Sequence, residues 1–235
     1  MNSFHVQMVS ISTIIEVIHV LKKFETLRKM HEGYAVAVIR GKDKEDAIQI
    51  AQHAFRGGIR SLEITFTTPG AEQAIAELVA NGDENMIVGA GTVLDATTAR
   101  IAIMNGAQYI VSPHFDKEIA LMCNRYATPY LPGCGSITEI LEAMTYGVDV
   151  VKLFPGSHLG PSFIKDVKGP VPYAEMMPSG GVSIENVNKW IEKGAFAVGM
   201  GSALTKGVKD GDYRSVAETA RAFMERINEV RGQKQ

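Results

Sequence analysis

A lysine inside an apolar, β-prone run is the first candidate for chemistry in this sequence. In residues 150–155, the alternation of side chains along a strand places Lys152 on one face together with Val150 and Phe154. A charged ammonium is costly in such a run unless it is paired, and burial favours its neutral form. Because a neutral amine attacks carbonyl carbon atoms, the pattern predicts that Lys152 forms a Schiff base with a carbonyl substrate. The alternative interpretations are that Lys152 snorkels to a surface or ends in a buried ion pair.

Further polar residues offer functions that would complement this lysine. Glu63 could shuttle the protons that imine formation and loss of water require, and the alternative is a structural ion pair between Glu63 and Lys152. Arg40 carries a planar fork suited to a carboxylate or a phosphate, with a salt bridge to Glu63 or Asp43 as the alternative. Thr92 follows a glycine-rich run and is placed for a hydroxyl or backbone contact to an anion.

Two glycine-rich loops follow the last two strand-like runs. They contain Ser179-Gly180-Gly181 and Gly201-Ser202. In barrels of alternating strands and helices, loops at this place bind phosphate through backbone N–H groups and helix N-termini. The pattern predicts a phosphate site, and the alternative is a pair of tight turns without a ligand.

The elements that must position these residues repeat along the chain. Strand-like runs occur at 34–40, 61–65, 86–90, 109–112, 129–131, 150–154, 175–177 and 195–199. Amphipathic segments lie between and after them, at 44–56, 71–80, 96–105, 117–125, 136–146, 183–193 and 212–230. Alternating strands and helices at this even spacing predict an α/β protein with a (β/α)₈ TIM barrel. A doubly wound open sheet uses the same units and is the alternative.

The barrel predicts where the polar residues meet. Chemistry in such barrels lies at the C-terminal ends of the strands. Arg40, Glu63 and Lys152 all fall near the ends of their runs, and alternation directs each of them to the face that would line the interior. We therefore expect these side chains to converge on one mouth.

The first 33 residues form a separate N-terminal segment in this interpretation, and residues 34–235 form the catalytic barrel domain. Apolar residues recur at helical spacing over residues 13–31, where Thr13 could cap a helix that ends at Gly33. We expect this helix to cover the bottom or side of the barrel, or to contribute to a subunit contact.

Composition limits the classes of partner and compartment. The formal net charge of −2 gives no electrostatic case for nucleic acid or an anionic membrane. Cys123 and Cys134 form neither a disulfide framework nor a zinc pattern, which fits a reducing cytoplasm. The apolar run at residues 11–21 is too short to span a bilayer, and no signal peptide is predicted. His114 and Asp116 do not fill a coordination shell, so no metal site is predicted.

Taken together, these motifs resemble one enzyme family, the class I 2-keto-3-deoxy-6-phosphogluconate (KDPG) and 4-hydroxy-2-oxoglutarate (KHG) aldolases. The resemblance covers about residues 34–207. The matching stretches are residues 36–40 (VAVIR), 62–67 (LEITFT), 89–93 (GAGTV), 111–114 (VSPH), 131–133 (LPG), 151–155 (VKLFP), 178–182 (PSGGV) and 198–202 (VGMGS).

The resemblance implies a role for each of these positions. Lys152 would be the Schiff-base lysine and Glu63 the acid/base. Thr92 and Arg40 would hold the substrate carboxylate. Pro113 and Phe154 would be apolar walls beside the iminium. The phosphate would bind to Ser179, Gly180, Gly181, Gly201 and Ser202. The resemblance also implies a homotrimer that needs no metal or other cofactor.

One position departs from the family pattern. Many members carry an arginine where this chain has Thr67, and there the arginine binds the carboxylate. We expect Arg40 to supply that charge here.

The activity expected is cleavage of KDPG to pyruvate and glyceraldehyde 3-phosphate, and of KHG to pyruvate and glyoxylate. The alternatives are an aldolase for the galactonate epimer of KDPG, a non-covalent sugar-phosphate isomerase or epimerase, and a non-catalytic protein that binds sugar acids.

Overall fold

The structure, a computed structural model, describes residues 21–209 and 211–232. Its strands are β1 (Ala35–Ile39), β2 (Ser61–Thr65), β3 (Ile87–Gly91), β4 (Ile110–Val111), β5 (Tyr130–Leu131), β6 (Gly133–Cys134), β7 (Val150–Leu153), β8 (Glu175–Pro178) and β9 (Val198–Met200). The helices are α1 (Lys22–Gly33), α2 (Lys44–Arg56), α3 (Ala71–Asn81), α4 (Ala96–Met104), α5 (Lys117–Arg125), α6 (Ile137–Thr145), α7 (Gly156–Leu159), α8 (Ser162–Lys168), α9 (Val187–Glu192), α10 (Ser202–Thr205) and α11 (Arg214–Gly232). Strands and helices alternate, so the chain has the predicted α/β class.

The strands form a curled sheet of six and a smaller sheet of three. The order in the larger sheet is β5-β4-β3-β2-β1-β9, and in the smaller sheet it is β6-β7-β8. All the strand pairs are parallel. A parallel bridge between Ser179 and Gly199 joins the end of β8 to β9. Parallel strands bring their C-terminal ends to the same side, which is where the candidate residues lie.

Side-chain alternation divides the core into two layers. The outer layer lies between strands and helices and includes Leu62, Ile64, Val151 and Leu153. The inner cluster contains side chains from both sheets, namely Val36, Ile87, Tyr109, Val111, Leu131, Val150, Met177 and Ala197. Each strand therefore buries both faces, as continuous apolar runs in parallel sheets require.

The helix α1 covers the end of the molecule where the strands begin. Its side chains Leu27 and Met30 belong to the inner cluster. This position agrees with one of the predicted alternatives, in which the helix covers the bottom of the domain. The helix continues through Gly33, and Tyr34 takes the left-handed conformation (φ 60°) while its N–H bonds Met30 O at 2.9 Å. The predicted Thr13 cap lies outside the described residues.

Several helices that follow candidate site residues in the sequence have a side-chain cap at their N-terminus. Asp43, Asp95 and Asp116 accept a hydrogen bond from the backbone N–H three residues later, at 2.8, 2.7 and 2.8 Å respectively. Such caps satisfy N–H groups that the helix leaves unpaired, so they fix where each helix starts. Ser136 caps α6 in the same way, and the Glu139 carboxylate accepts hydrogen bonds from Gly135 N and from the Ser136 hydroxyl.

Several short elements differ from the sequence-based prediction. The strand β6 and the helices α7, α8 and α10 were not predicted, because they are two to seven residues long and show no clear period. Helix α9 begins at Val187 rather than at the predicted Ser183. Asn186 accepts a hydrogen bond from Ser183 N at 2.9 Å and donates one to Gly181 O at 2.8 Å, which holds residues 183–186 in a turn. Among the described helices, none combines the length and hydropathy needed to cross a membrane.

Candidate active site

Lys152 and Glu63 meet on the inner face of the strands. Lys152 lies on β7 and Glu63 on β2, and the distance from Lys152 Nζ to Glu63 Oε1 is 3.7 Å. The side chain of Lys152 is 7% exposed and that of Glu63 is 0% exposed. The structure therefore places an amine and a carboxyl group side by side in a space largely closed to water.

The surroundings of Glu63 favour its protonated form. Burial raises the pKa of the Glu63 carboxyl, and the charges of Lys152 and Arg40 oppose this rise. Neither carboxyl oxygen has a hydrogen bond from any described residue. Lys152 Nζ, at 3.7 Å, lies just beyond hydrogen-bond distance, so burial is only partly offset and Glu63 is suited to gain and lose a proton during a reaction.

Gly91 of β3 leaves the space that the Glu63 carboxyl group fills. Gly89 pairs with Glu63 in the parallel register, and Gly91 pairs with Thr65. A Cβ added at Gly91 would lie 2.1 Å from Glu63 Oε1 and 2.7 Å from its Cδ. Any larger residue at Gly91 would therefore displace the carboxyl group.

Arg40 lies beside the position where the family pattern differs. Its Nε donates to Thr67 Oγ1 at 3.2 Å, and Thr67 Oγ1 lies 2.9 Å from Thr65 Oγ1. Thr65 in turn donates to Ile39 O at 3.0 Å. Arg40 is exposed, and among the described residues it forms no ion pair, so the predicted alternative of a salt bridge to Glu63 or Asp43 is not present. The Arg40 guanidinium thus retains donors for an anion.

Thr92 has an unusual backbone conformation. Its φ is 54°, although it is a β-branched residue, and its side chain is half-buried directly after β3. Such residues rarely adopt a left-handed conformation, and the strain is stored where the surrounding structure enforces it. The turn reverses the chain between Gly91 and the cap of α4 at Asp95.

Phe154 lies close to Lys152, and Pro113 lies beside the strand that pairs with the strand of Lys152. The ring centroid of Phe154 is 5.1 Å from Lys152 Nζ, and this side chain is 36% exposed. Pro113 follows β4, and a Cβ at Gly133 would lie 2.1 Å from Pro113 O. Gly133 is the register partner of Lys152, so the Pro113 backbone lies next to the strand that neighbours the lysine.

The two glycine-rich loops leave adjacent strands. Ser179 pairs with Gly199, and Gly180 and Gly181 follow with φ values of 84° and 78°. Gly201 immediately precedes α10, which begins at Ser202. The sequence led us to expect that both loops open helices. Only the Gly201 loop does so, because the Ser183–Asn186 turn separates the Gly181 loop from α9.

Cys134 and His114, two further reactive side chains, have structural roles. Burial raises the pKa of the Cys134 thiol to about 12, so this cysteine is a neutral core residue. His114 is an exposed loop residue whose carbonyl accepts hydrogen bonds from Ser112 and Tyr130. In the part of the chain that the structure describes, there is no group of three or more His, Cys, Asp or Glu residues that could hold a metal ion.

A large surface groove lies away from these residues. It has a volume of about 550 Å³, and its lining includes His31, Tyr34, Glu175 and Arg231. These residues surround the N-terminal ends of the strands. Lys168, which also lines the groove, pairs with Glu175 at 3.5 Å, and Arg231 donates to Glu32 O at 2.8 Å. Both cations of the groove therefore already contact other groups of the protein.

Some residues near the pair were not singled out from the sequence. Gly91 was noted only as part of a glycine-rich run, yet it sets the space for the Glu63 carboxyl group. Ser157, on the short helix α7, packs against Gly181, where an added Cβ would lie 2.8 Å from Ser157 Cβ. Tyr109 is fully buried in the inner cluster. Alternation along β4 could have identified Tyr109 as inward-facing, whereas α7 gave no periodic signal.

Comparison with known proteins gives a consistent picture. A family model described as "Aldolase: KDPG and KHG aldolase" matches residues 27–219. The chain is 32% identical to a 2-dehydro-3-deoxy-phosphogluconate aldolase of Treponema pallidum over 196 residues, which cover 82% of this chain and 91% of the relative. It is 30% identical to a 2-dehydro-3-deoxy-6-phosphogalactonate aldolase of Escherichia coli, with coverages of 83% and 95%.

Solved structures agree with this picture. A KDPG aldolase from Legionella pneumophila, crystallised with pyruvate captured at low pH as a covalent carbinolamine intermediate, superposes with a TM-score of 0.78. It is 27% identical, and the match covers 84% of this chain and 97% of that one.

Proposed function

This chain belongs to the KDPG and KHG aldolase family, and we propose that it cleaves its substrate through a Schiff base on Lys152. It is an aldolase, a carbon–carbon lyase. KDPG would yield pyruvate and glyceraldehyde 3-phosphate, and KHG would yield pyruvate and glyoxylate. The observation that carries the covalent mechanism is the 3.7 Å approach of Lys152 Nζ to the buried Glu63 carboxyl group.

The reaction begins when neutral Lys152 Nζ adds to the C2 ketone of the substrate. Glu63 donates the proton with which the C2 oxygen leaves as water, and a protonated imine remains. The imine accepts the electrons of the C3–C4 bond as that bond breaks. Glu63, directly or through a water, accepts the proton of the C4 hydroxyl, so an aldehyde leaves. Protonation of the enamine at C3 and hydrolysis of the imine release pyruvate and restore the amine.

The iminium stage requires stabilisation of a positive charge. The face of Phe154, 5.1 Å from Lys152 Nζ, provides a negative quadrupole for that cation. Pro113 would form the second apolar wall. Together these groups would exclude water from the reacting carbon while the charge is present.

The substrate carboxylate would bind to Arg40 and Thr92. Arg40 is held by Thr67, the residue that replaces the arginine of many family members. An arginine fork matches the two oxygens of a carboxylate, so Arg40 can supply the missing charge from a neighbouring strand end.

The phosphate of KDPG would bind at Ser179, Gly180, Gly181, Gly201 and Ser202. These residues leave two adjacent strands on the side where Lys152 lies. Backbone N–H groups with no side chain in the way suit an anion of this size.

The galactonate epimer of KDPG is a second candidate substrate. The relative from E. coli named for that substrate is nearly as similar to this chain as the gluconate aldolases are. The two substrates differ only in configuration at C4, the carbon whose hydroxyl proton Glu63 would accept.

We also propose that the two sheets close into one (β/α)₈ barrel formed by residues 34–235, with residues 1–33 as an extension. The inner cluster of side chains from both sheets and the Ser179–Gly199 bridge support closure. A homotrimer follows from the family resemblance and can be tested by light scattering. A cytoplasmic location is consistent with two free, buried cysteines.

Reductive trapping tests the mechanism directly. Borohydride added with pyruvate should inactivate the wild-type protein and attach a three-carbon fragment to the peptide that contains Lys152. The Lys152→Ala variant should be unaffected. Equal inactivation of both proteins, or an unmodified Lys152 peptide in an active preparation, would remove Lys152 from this role.

A substrate panel then defines specificity. Pyruvate release is followed for KDPG, its galactonate epimer and KHG. If the protein is trapped by pyruvate but releases none from any of the three, the proposed substrates are wrong, whereas the covalent mechanism stands.

A further inference from the structure

The side chain of Tyr109 brings a second unpartnered polar group to the interior near Glu63. Tyr109 is fully buried, and its hydroxyl has no hydrogen-bond partner among the described residues. It directly precedes β4, where Ala90 N bonds Tyr109 O at 3.0 Å. The apolar side chains of the inner cluster offer this phenol no acceptor. A buried hydroxyl that cannot donate costs stability, so its retention here calls for a partner.

The glycines of β3 direct the phenol towards Glu63. A Cβ added at Gly89 would lie 2.4 Å from Tyr109 Cζ and Cε2 and 2.5 Å from Cε1. The distal end of the ring therefore covers Gly89, and Gly89 is the register partner of Glu63. Because the hydroxyl is attached to Cζ, it lies at the end of the ring that covers Gly89.

The Glu63 carboxyl group covers the next inward-facing residue of the same strand. A Cβ at Gly91 would lie 2.1 Å from Glu63 Oε1. Alternate residues of a strand are roughly 7 Å apart. The phenol end and the carboxyl group therefore lie over neighbouring inward positions of β3, where one water could bridge them through two hydrogen bonds.

We propose that Tyr109 is a positioning residue for Glu63, and that its hydroxyl donates through one bridging water to the carboxyl group. The link satisfies two buried groups that are otherwise unpartnered, the phenol O–H and a carboxyl oxygen. Burial raises the pKa of Tyr109, and the charge of Glu63 adds to that rise. The inference rests on the proposed role of Glu63 as acid/base.

The link has a consequence for proton transfer. A donor to the carboxyl oxygen favours the charged form, and thus lowers the pKa at which Glu63 becomes able to accept a proton. Tyr109 would therefore set the acidic limb of the pH dependence of cleavage without touching the substrate.

The test compares Tyr109→Phe with the wild-type protein. The variant keeps the ring and removes only the hydroxyl. The acidic limb of kcat against pH should move up by roughly one to two pH units, the effect of losing one hydrogen bond to a charged group. A limb that does not move in a folded, active variant overturns the proposal.

Tyr34→Phe is the matched control. It also removes a buried tyrosine hydroxyl, which bonds Ala195 O at the opposite end of the strands. Its acidic limb should remain at the wild-type position. An equal shift in both variants would mean that lost stability, not the link to Glu63, moves the profile, and would overturn the proposal.

A second measurement needs no turnover. If the hydroxyl favours charged Glu63, the stability lost by Tyr109→Phe relative to wild type should grow as the pH rises through the folded-state pKa of Glu63, which burial raises above its ordinary value. A stability difference independent of pH overturns the proposal. Absence of pyruvate release by the wild-type protein would refute the proposed function instead, and this unfolding comparison would still decide the role of Tyr109.

Discussion

The substitution Gly91→Ala should separate the position of Glu63 from the stability of the fold. A Cβ at this position would lie 2.1 Å from Glu63 Oε1, 2.6 Å from Cγ and 2.7 Å from Cδ. The carboxyl group must retreat by about 1.3 Å, the difference between 2.1 Å and the 3.4 Å at which ordinary contacts begin. A displacement of about 1 Å of a catalytic group lowers rates by roughly 10²-fold. We therefore expect kcat to fall by about that factor.

The fold should tolerate the change. The three nearest atoms all belong to the Glu63 side chain and none to the backbone, and alanine restricts the unfolded chain more than glycine, which is worth about 0.4–1 kcal/mol. The melting temperature should consequently stay within a few degrees of the wild-type value. Lys152 remains in place, so borohydride with pyruvate should still label it.

Pyruvate release coupled to a dehydrogenase measures the effect. Gly33→Ala is the matched control, because nothing lies within 4 Å of a Cβ added there. If Gly91→Ala turns over within about threefold of the wild-type rate, the position of the Glu63 carboxyl group does not limit catalysis and the reasoning fails.

Further substitutions test the other parts of the site. Glu63→Gln should lower kcat far more than it weakens pyruvate binding, and unchanged turnover would refute the acid/base role. Burial raises the pKa of Glu63, so its charged form costs stability as the pH rises above about 4.5, and Glu63→Gln should gain stability relative to wild type over that range in pH-dependent unfolding. Arg40→Ala should raise the KM for every keto acid in the panel, and Thr67→Arg in that background should restore part of the loss; an unchanged KM would exclude Arg40 from carboxylate binding. Gly181→Ala places a Cβ 2.8 Å from Ser157 at a φ of 78° and should raise the KM for KDPG, leaving that for KHG, which has no phosphate, unchanged.

Strand periodicity in the sequence was sufficient to predict the meeting of the central pair. Alternation placed Lys152 and Glu63 on inward faces, and the repeat brought their strand ends to one side; the structure has both. The resemblance to the KDPG and KHG aldolases is confirmed by the family model. Periodicity works here because successive side chains of a strand point to opposite faces, so the position of a residue in its strand fixes its direction.

Contacts across strands were beyond the reach of the sequence. The space over Gly91 and the course of the Tyr109 ring over Gly89 depend on register between strands, which no local pattern encodes. Helices α7 and α8 were missed because Pro161 and the glycines at 156, 160 and 169 interrupt any helical period. The strain at Thr92 was also unpredictable, because threonine rarely adopts a positive φ.

Because α1 packs against the inner cluster, it covers one end of the molecule. Leu27 and Met30 occupy the end opposite the candidate site, so under the proposed mechanism substrates and products would share the exposed side beside Phe154. In the proposed mechanism the aldehyde half of a cleaved substrate would lie on the outer side of the fragment tethered to Lys152 and would depart before pyruvate. In the synthetic direction, the order reverses, and pyruvate has to be loaded before the acceptor aldehyde arrives. An acceptor present in excess would then obstruct the entrance, so carboligation should run best when the aldehyde is fed slowly into a pyruvate-saturated reaction.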